Sequence, residues 1–305
     1  MAGKAKNITA SVHQRLLNKA KESSRPFNEI LQHFAIERFI YRLSKSPHAD
    51  RFILKGALMF SAWTGSMARP TMDIDLLGNI ENSTDLIVAV FKDACETEVE
   101  NDGIVFHKDT VTATRITEDA DYKGVRVLLR GNLSSIRLFL QIDIGFGDVI
   151  IPKPGKVKYP VLLDFPPPEL DGYTMESTVA EKFQAMVKLG LLNSRMKDFY
   201  DIWFLSHRFD FKGETLIEAI EKTFEKRKTP LISEPTIFNP TFIQDDTKQA
   251  QWQGFIKKTK LIDAPTSFED VAVGIKLFLQ PVVVSMINRR QTFRLFWAAP
   301  GPWHI

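Results

Sequence analysis

Six prolines, Pro152, Pro154, Pro160, Pro166, Pro167 and Pro168, crowd the stretch "IIPKPGKVKYPVLLDFPPPELDG" at residues 150–172. A proline fixes its own φ and brings no backbone N–H, so neither a regular helix nor a central strand can pass through such a segment. The chain on either side must fold by its own pattern, and the two patterns differ. Upstream, short segments alternate in polarity and are separated by turn residues; downstream, apolar residues recur at helical spacing. The division predicts one lobe over residues 1–165 and a helical lobe over 166–305, and 305 residues are enough to give each an ordinary core.

In the upstream part, Ser11 to about Ser23 and Asn28 to about Ser44 read as amphipathic helices, the second carrying Phe34, Ile36, Phe39, Ile40 and Leu43. "RFILK" reads as a short buried strand broken by Gly56, and "ALMFSAWTG" as a helix stopped by Gly65. The strand "MDIDLL" follows, then a helix over "NSTDLIVAVFKDACE" capped at Asn82 or Ser83. "IVFH", "VTATRI", "GVRVLLRGNL" and "IRLFLQIDIGF" are further strands. Downstream, "MESTVAEKFQAMVKLGLL", "RMKDFYDIWFLSHR", "GETLIEAIEKTFEKRK" and "FEDVAVGIKLFLQPVVVSMI" read as helices, while the closing "TFRLFWAAPGPWHI" is aromatic without a period. The expected fold class is α+β, a mixed-sheet core with N-terminal helices and a C-terminal helical lobe.

Composition narrows the setting. Cys95 is the only cysteine, which excludes a disulfide framework and a cysteine-based zinc site and favours a reducing, cytoplasmic location. No apolar leader opens the chain and no apolar run approaches a membrane span, so no membrane partner is expected. A net charge of +3 permits a nucleic-acid partner without arguing for one. His107 and His207 lack metal-type spacing to other ligands.

The chemistry-bearing feature is "ARPTMDIDLLG", residues 68–78. Strand side chains alternate faces, so Asp73 and Asp75 point one way while Ile74 and Leu76 point the other. Two carboxylates side by side raise each other's pKa and oppose folding unless a cation lies between them, an arrangement natural for a hard divalent metal. In "RLFLQIDIGFGD", Asp143 shares a face with Phe139 and Gln141 and could reach the same cation. Three carboxylates could hold one or two Mg²⁺ ions, the geometry that phosphoryl transfer uses. Lys55, Gly56 and Ala57 form a strand-to-helix turn whose backbone N–H groups could approach a phosphate. Each signal also has an ordinary explanation. Asp-x-Asp can be a turn or surface pair, Asp143 an edge residue, Lys182 a solvated lysine, and Asp198 with Asp201 an exposed acidic edge paired with Lys197 or Arg195.

"ILKGALMFSAW…ARPTMDIDLLG" resembles the nucleotidyltransferase core of the DNA polymerase β type. Together with "VAEKFQAMVKLGLLNSRMKDFYDIWFL" it is similar to the AbiEii/AbiGii nucleotidyltransferase toxin family, which includes the MenT-type toxins; the matching motifs span roughly residues 51–210. The resemblance implies that Asp73 and Asp75 are metal ligands and that Lys55 and Gly56 line a triphosphate turn. It implies that Lys182 contacts nucleotide phosphate, that Asp198, with Asp201 nearby, completes the site, and that Arg69 and Thr71 form the lead-in to the metal strand. Where many polymerase β-type enzymes have Gly-Ser at the turn, this chain has Gly56-Ala57.

The resulting expectation is an Mg²⁺-dependent transferase that moves a nucleoside monophosphate from an NTP to an acceptor hydroxyl, with Asp143 or Asp198 taking the acceptor's proton. By resemblance it is the toxin of a toxin–antitoxin or phage-defence pair, with a cognate antitoxin as partner and tRNA 3′ ends among the acceptors. Two rivals share the scaffold: a transferase acting on a protein or small molecule, and a non-catalytic nucleotide-binding regulator. The latter has no reason to keep both Asp73 and Asp75.

Overall fold

The computed structural model describes residues 8–65, 71–119, 122–261, 263–288 and 293–305. They form two compact units, one of Met1–Gly147 with Gly155–Tyr173 and one of Asp148–Pro154 with Thr174–Ile305.

The first unit runs α1 (Ile8–Glu22), α2 (Phe27–Lys45), β1 (Phe52–Lys55), α3 (Ala57–Thr64), β2 (Asp73–Gly78), α4 (Thr84–Glu96), β3 (Ile104–Asp119), β4 (Tyr122–Leu133), β5 (Ile136–Phe146), β6 (Gly155–Lys158) and β7 (Glu169–Gly172). The strands form one seven-stranded sheet in the order β3-β4-β5-β2-β1-β7-β6. It is a mixed sheet: β2 pairs β5 and β1 pairs β7 in parallel, while the other pairings are antiparallel. The segments "IVFH" and "VTATRI" belong to the single strand β3, whose pairing slips between His107 and Thr112.

Helices α2 and α4 close one face of this sheet. Phe39 of α2 stacks on Phe91 of α4 at 5.9 Å and meets Phe106 of β3 edge-on at 5.2 Å, with all three rings buried. Truncating such a ring costs about 3–5 kcal/mol. Along β5, Leu138, Leu140, Ile142 and Ile144 are buried against the helices, which turns Phe139, Gln141 and Asp143 to the opposite face. Ser83 caps α4, accepting from the Leu86 N–H, and Gly65 ends α3 in the left-handed region.

The proline-rich stretch carries two strands as well as loops. No proline lies inside β6 or β7, and the prolines occupy the approach to β6 and the loop between the two. β7 is nonetheless flanked on both sides, by β1 and β6, so a strand one place in from the sheet edge does form directly after the last of the prolines. Two adjacent residues of α2 fasten this loop: Arg38 donates to the Pro166 carbonyl at 2.8 Å, and Glu37 accepts from the Leu162 N–H at 2.7 Å.

The second unit contains α5 (Met175–Leu189), α6 (Met196–Arg208), β8 (Phe211–Lys212), α7 (Gly213–Lys226), α8 (Pro240–Ile243), α9 (Asp246–Thr259), α10 (Phe268–Ile287), β9 (Phe296–Trp297) and β10 (Trp303–His304). Its core lies where α5 packs on α7 and α10 on α6. The strands β9 and β10 near the C-terminal end join β8 in a small sheet ordered β10-β9-β8. Trp303 stacks on Phe278 of α10 at 5.7 Å and 2°, and the Trp297 indole donates to the Ser206 carbonyl at 2.6 Å. Two-residue strands leave no period to read, and aromatic anchoring holds them instead.

The expectation that no apolar run approaches a membrane span needs correction. α10, 20 residues long, meets that criterion by length and composition. Glu269, Asp270 and Lys276 interrupt the run in the sequence, while Val271, Ile275, Phe278, Leu279 and Val282 are buried within the unit.

Candidate active site

The open face of the sheet places four charged residues in one row. In register, Arg126 of β4 lies opposite Asp143 of β5, Asp143 opposite Asp75 of β2, and Asp75 opposite Lys55 of β1. Cross-strand partners share a face, so the row reads cation, carboxylate, carboxylate, cation across four adjacent strands. One step along, Asp73 is opposite Gln141 on the same face. The alternation that buries Ile74 and Leu76 is what leaves Asp73 and Asp75 half-buried on the open side.

Asp143 is held firmly. Arg126 donates to both of its oxygens, Nε to Oδ1 and Nη2 to Oδ2 at 2.8 Å each, and Gln141 adds a third bond at 3.1 Å. Thr71 donates to Asp73 Oδ1 at 2.8 Å. The Lys55 ammonium lies 5.0 Å from the centre of the Tyr173 ring. Lys55, Asp75, Asp143, Ile116, Gly124 and Gly145 are among the residues that line a small opening on this face.

Gly56 joins β1 to α3 at φ 70° and ψ −149°, a backbone conformation that suits glycine. A side chain there would also fall inside the Asp75 carboxylate. The turn, the start of α3 at Ala57 and Asp75 are thus packed against one another. Arg69 lies outside the described residues.

The residues fit a hard cation in part. Asp73 and Asp75 offer two carboxylates on one face, Asp73 with Thr71 on its Oδ1 and Asp75 opposite Lys55, whereas both oxygens of Asp143 are engaged by Arg126 and Gln141. Among the described residues no three His, Cys, Asp or Glu side chains are grouped to hold a metal ion. Two carboxylates with the rest of the shell drawn from phosphate and water is a common arrangement for Mg²⁺ in nucleotide sites.

The remaining candidates belong to the second unit. Lys182 of α5 bridges two carboxylates of α6, with Nζ 2.7 Å from Asp198 Oδ1 and 2.8 Å from Asp201 Oδ2; Arg195 Nε reaches Asp198 Oδ2 at 2.8 Å. Asp198 and Asp201 are buried, at 2% and 0% exposure, and so are not an exposed acidic edge. Burial pushes the Asp198 carboxyl up, but Lys182 and Arg195 outweigh it and hold the group below the usual carboxylate range.

Arg126, Gln141 and Tyr173 complete the surroundings of the carboxylate row. Arg126 carried one sequence signal, a cation on the polar face of an alternating strand, and Gln141 shared a face with Asp143; nothing marked Tyr173.

A family profile described as "Nucleotidyl transferase AbiEii toxin, Type IV TA system" matches residues 38–273. Among solved structures, a candidate nucleotidyltransferase from H. pylori is 15% identical, with 86% of this chain and 98% of that chain covered at a TM-score of 0.48. JHP933 from Helicobacter pylori is 16% identical, with 87% and 94% covered at a TM-score of 0.47. No curated protein matches the chain significantly.

Proposed function

The chain belongs to the AbiEii nucleotidyltransferase toxin family, a type IV toxin–antitoxin family that implies a cognate antitoxin, and from that premise we propose an Mg²⁺-dependent transfer of a nucleoside monophosphate from an NTP to the 3′ end of an RNA, with tRNA the first acceptor to test. The observation that carries this reading is the row Arg126–Asp143–Asp75–Lys55, with Asp73 beside it on the same open face.

Asp73 and Asp75 would hold the Mg²⁺, which when bound neutralises triphosphate charge and polarises the α-phosphate. Lys55 and the backbone at Gly56 and Ala57 bind the phosphates, with the helix start favouring their negative charge. In the second unit, the Lys182 ammonium is fixed by Asp198 and Asp201, and the phosphate contact that the motif resemblance implies for Lys182 would be made by that ordered ammonium. The acceptor hydroxyl forms a new bond to the α-phosphorus while the bond to the β-phosphate oxygen breaks, and pyrophosphate leaves with that electron pair. The hydroxyl proton passes to a carboxylate. Both candidates are paired with cations, but Asp143 stands directly beside Asp75 in the row whereas Asp198 is buried at 2% exposure, which favours Asp143. The toxin would act in the cytoplasm, where its antitoxin restrains it, and a phage-defence role follows from the same reading.

The test incubates purified protein and its Asp75→Ala variant with total RNA, Mg²⁺ and each α-labelled NTP, followed by a denaturing gel. Metal-dependent label on one RNA class, lost in the variant, is the expected result. Label on protein or small molecules alone would overturn the RNA acceptor.

A further inference from the structure

The first unit keeps most of its sheet-facing apolar surface inside, with one exception. Among its described residues the exposed large hydrophobics are Met72, Val105, Leu128 and Phe139. The last three lie on one face of the sheet, the same face as the carboxylate row. Leu128 is opposite Gln141, Phe139 is opposite Arg130, and Val105 is opposite Asn132, which pairs with Arg137. Phe139, 58% exposed, stands on β5 two side-chain steps from Asp143, roughly 13 Å along the strand. The Arg130 guanidinium lies 5.6 Å from its ring centre. On the helix side, Gln32 of α2 donates to the carbonyls of Phe139 and Met72 at 2.8 and 3.3 Å, which ties the end of β5 to that of β2.

The charges on this face select the occupant. Along the described residues of β4 and β5, its side chains are Arg126, Leu128, Arg130, Asn132, Arg137, Phe139, Gln141 and Asp143, interspersed with glycines. Arg126 and Asp143 neutralise each other. What remains on β4 and β5 is Arg130 and Arg137 around an exposed aromatic ring, with Asp73 and Asp75 farther across the face on β2. An exposed ring flanked by cations is the chemistry that stacks a base and tracks a phosphate backbone, and it needs an unpaired strand because a duplex hides its base faces.

Resting on the proposed RNA acceptor, we infer that the β3–β4–β5 face is the platform for the acceptor's unpaired 3′ strand. Phe139 stacks a base, Arg130 and Arg137 bind the flanking phosphates, and the strand runs along β5 toward Asp143 and Asp75. The platform binds the strand in a sequence-tolerant way, because every base has a π-face.

The test measures binding of two fluorescein-labelled RNA probes, an unpaired oligonucleotide and the same sequence closed in a blunt duplex, together with KM for NTP and for total tRNA. Wild-type protein should prefer the unpaired probe. Phe139→Ala should weaken that binding about tenfold and raise KM for tRNA in step, with KM for NTP unchanged, and Phe139→Trp should restore both. Arg130→Gln should weaken binding and flatten its salt dependence. Unchanged binding by a folded Phe139→Ala variant overturns the platform and leaves the transferase reading intact. The platform is equally overturned if Phe139→Ala spares RNA binding but relieves inhibition by the antitoxin, since the face would then belong to that protein. Wild-type protein that binds neither probe and labels no RNA overturns the RNA acceptor itself.

Discussion

Gly56 and Asp75 are packed so closely that a Cβ on the glycine would fall inside the Asp75 carboxylate. The first residue shapes the turn into α3 and the second is a proposed metal ligand, so neither can move without the other. Gly56→Ala would strain a backbone at φ 70° and displace the carboxylate at once. Gly65 is the control. It also has a positive φ, of 72°, but a Cβ there meets nothing among the described residues within 4 Å. Gly65→Ala should cost about 1 kcal/mol by thermal melting and leave transfer intact. Gly56→Ala should cost more and abolish nucleotidyl transfer.

Asp73 and Asp75 predict a small effect on stability and a large one on activity. Lys55 stands opposite Asp75 in the row and offsets part of the repulsion between the two carboxylates. Asp75→Asn should therefore melt close to the wild-type temperature without Mg²⁺, and should lose most of the stabilisation that Mg²⁺ with NTP gives the wild type. Transfer should fall by a hundredfold or more. A variant that melts lower and still transfers normally would show that Asp75 serves the fold instead.

Legibility in the sequence followed the range of each interaction. The shared face of Asp73 and Asp75, the Ser83 cap and the stop at Gly65 depend on residues within one strand or one turn, and all were readable. The Arg126–Asp143 pair was not, because it depends on the register of β4 against β5 across 17 residues of chain. Helical periodicity marked Phe34, Phe39 and Val179, yet it assigns charged residues to solvent by default. Glu37, Arg38, Asp198 and Asp201 are buried instead, each with a partner of opposite charge. Their partners sit on a neighbouring residue or a neighbouring helix, and no single-helix period can reveal that.

Lys182 compensates two buried carboxylates, which sets the cost of removing it. Lys182→Met should destabilise the protein by about 3–5 kcal/mol in urea unfolding, since Arg195 contacts Asp198 alone among that pair. Adding Asp201→Asn to Lys182→Met should recover part of the loss, because a buried carboxylate that has lost its Lys182 partner is then removed. Additive losses would mean that the ion pairs contribute nothing to each other.

Glu37 and His33 make stability depend on pH in opposite senses. Burial pushes the Glu37 carboxyl from 4.5 up to about 7, with Arg38 at 2.9 Å and the Leu162 N–H opposing the rise. The folded chain then holds this proton more tightly than the unfolded chain. Its contribution is complete below pH 4.5 and is lost as pH rises through about 7. Burial, with Arg25 adding to it, pushes His33 from 6.5 down to about 4, so its contribution is complete above pH 6.5 and is lost as pH falls through about 4. Between pH 4.5 and 6.5 the two partly cancel, and from 6.5 to 7 Glu37 acts alone. Glu37→Gln keeps an acceptor for the Leu162 N–H and cannot ionise. Relative to wild type, it should therefore gain about 1–3 kcal/mol between pH 4.5 and pH values above 7. Parallel urea-unfolding curves for variant and wild type across that range would show instead that Arg38 holds Glu37 ionised throughout.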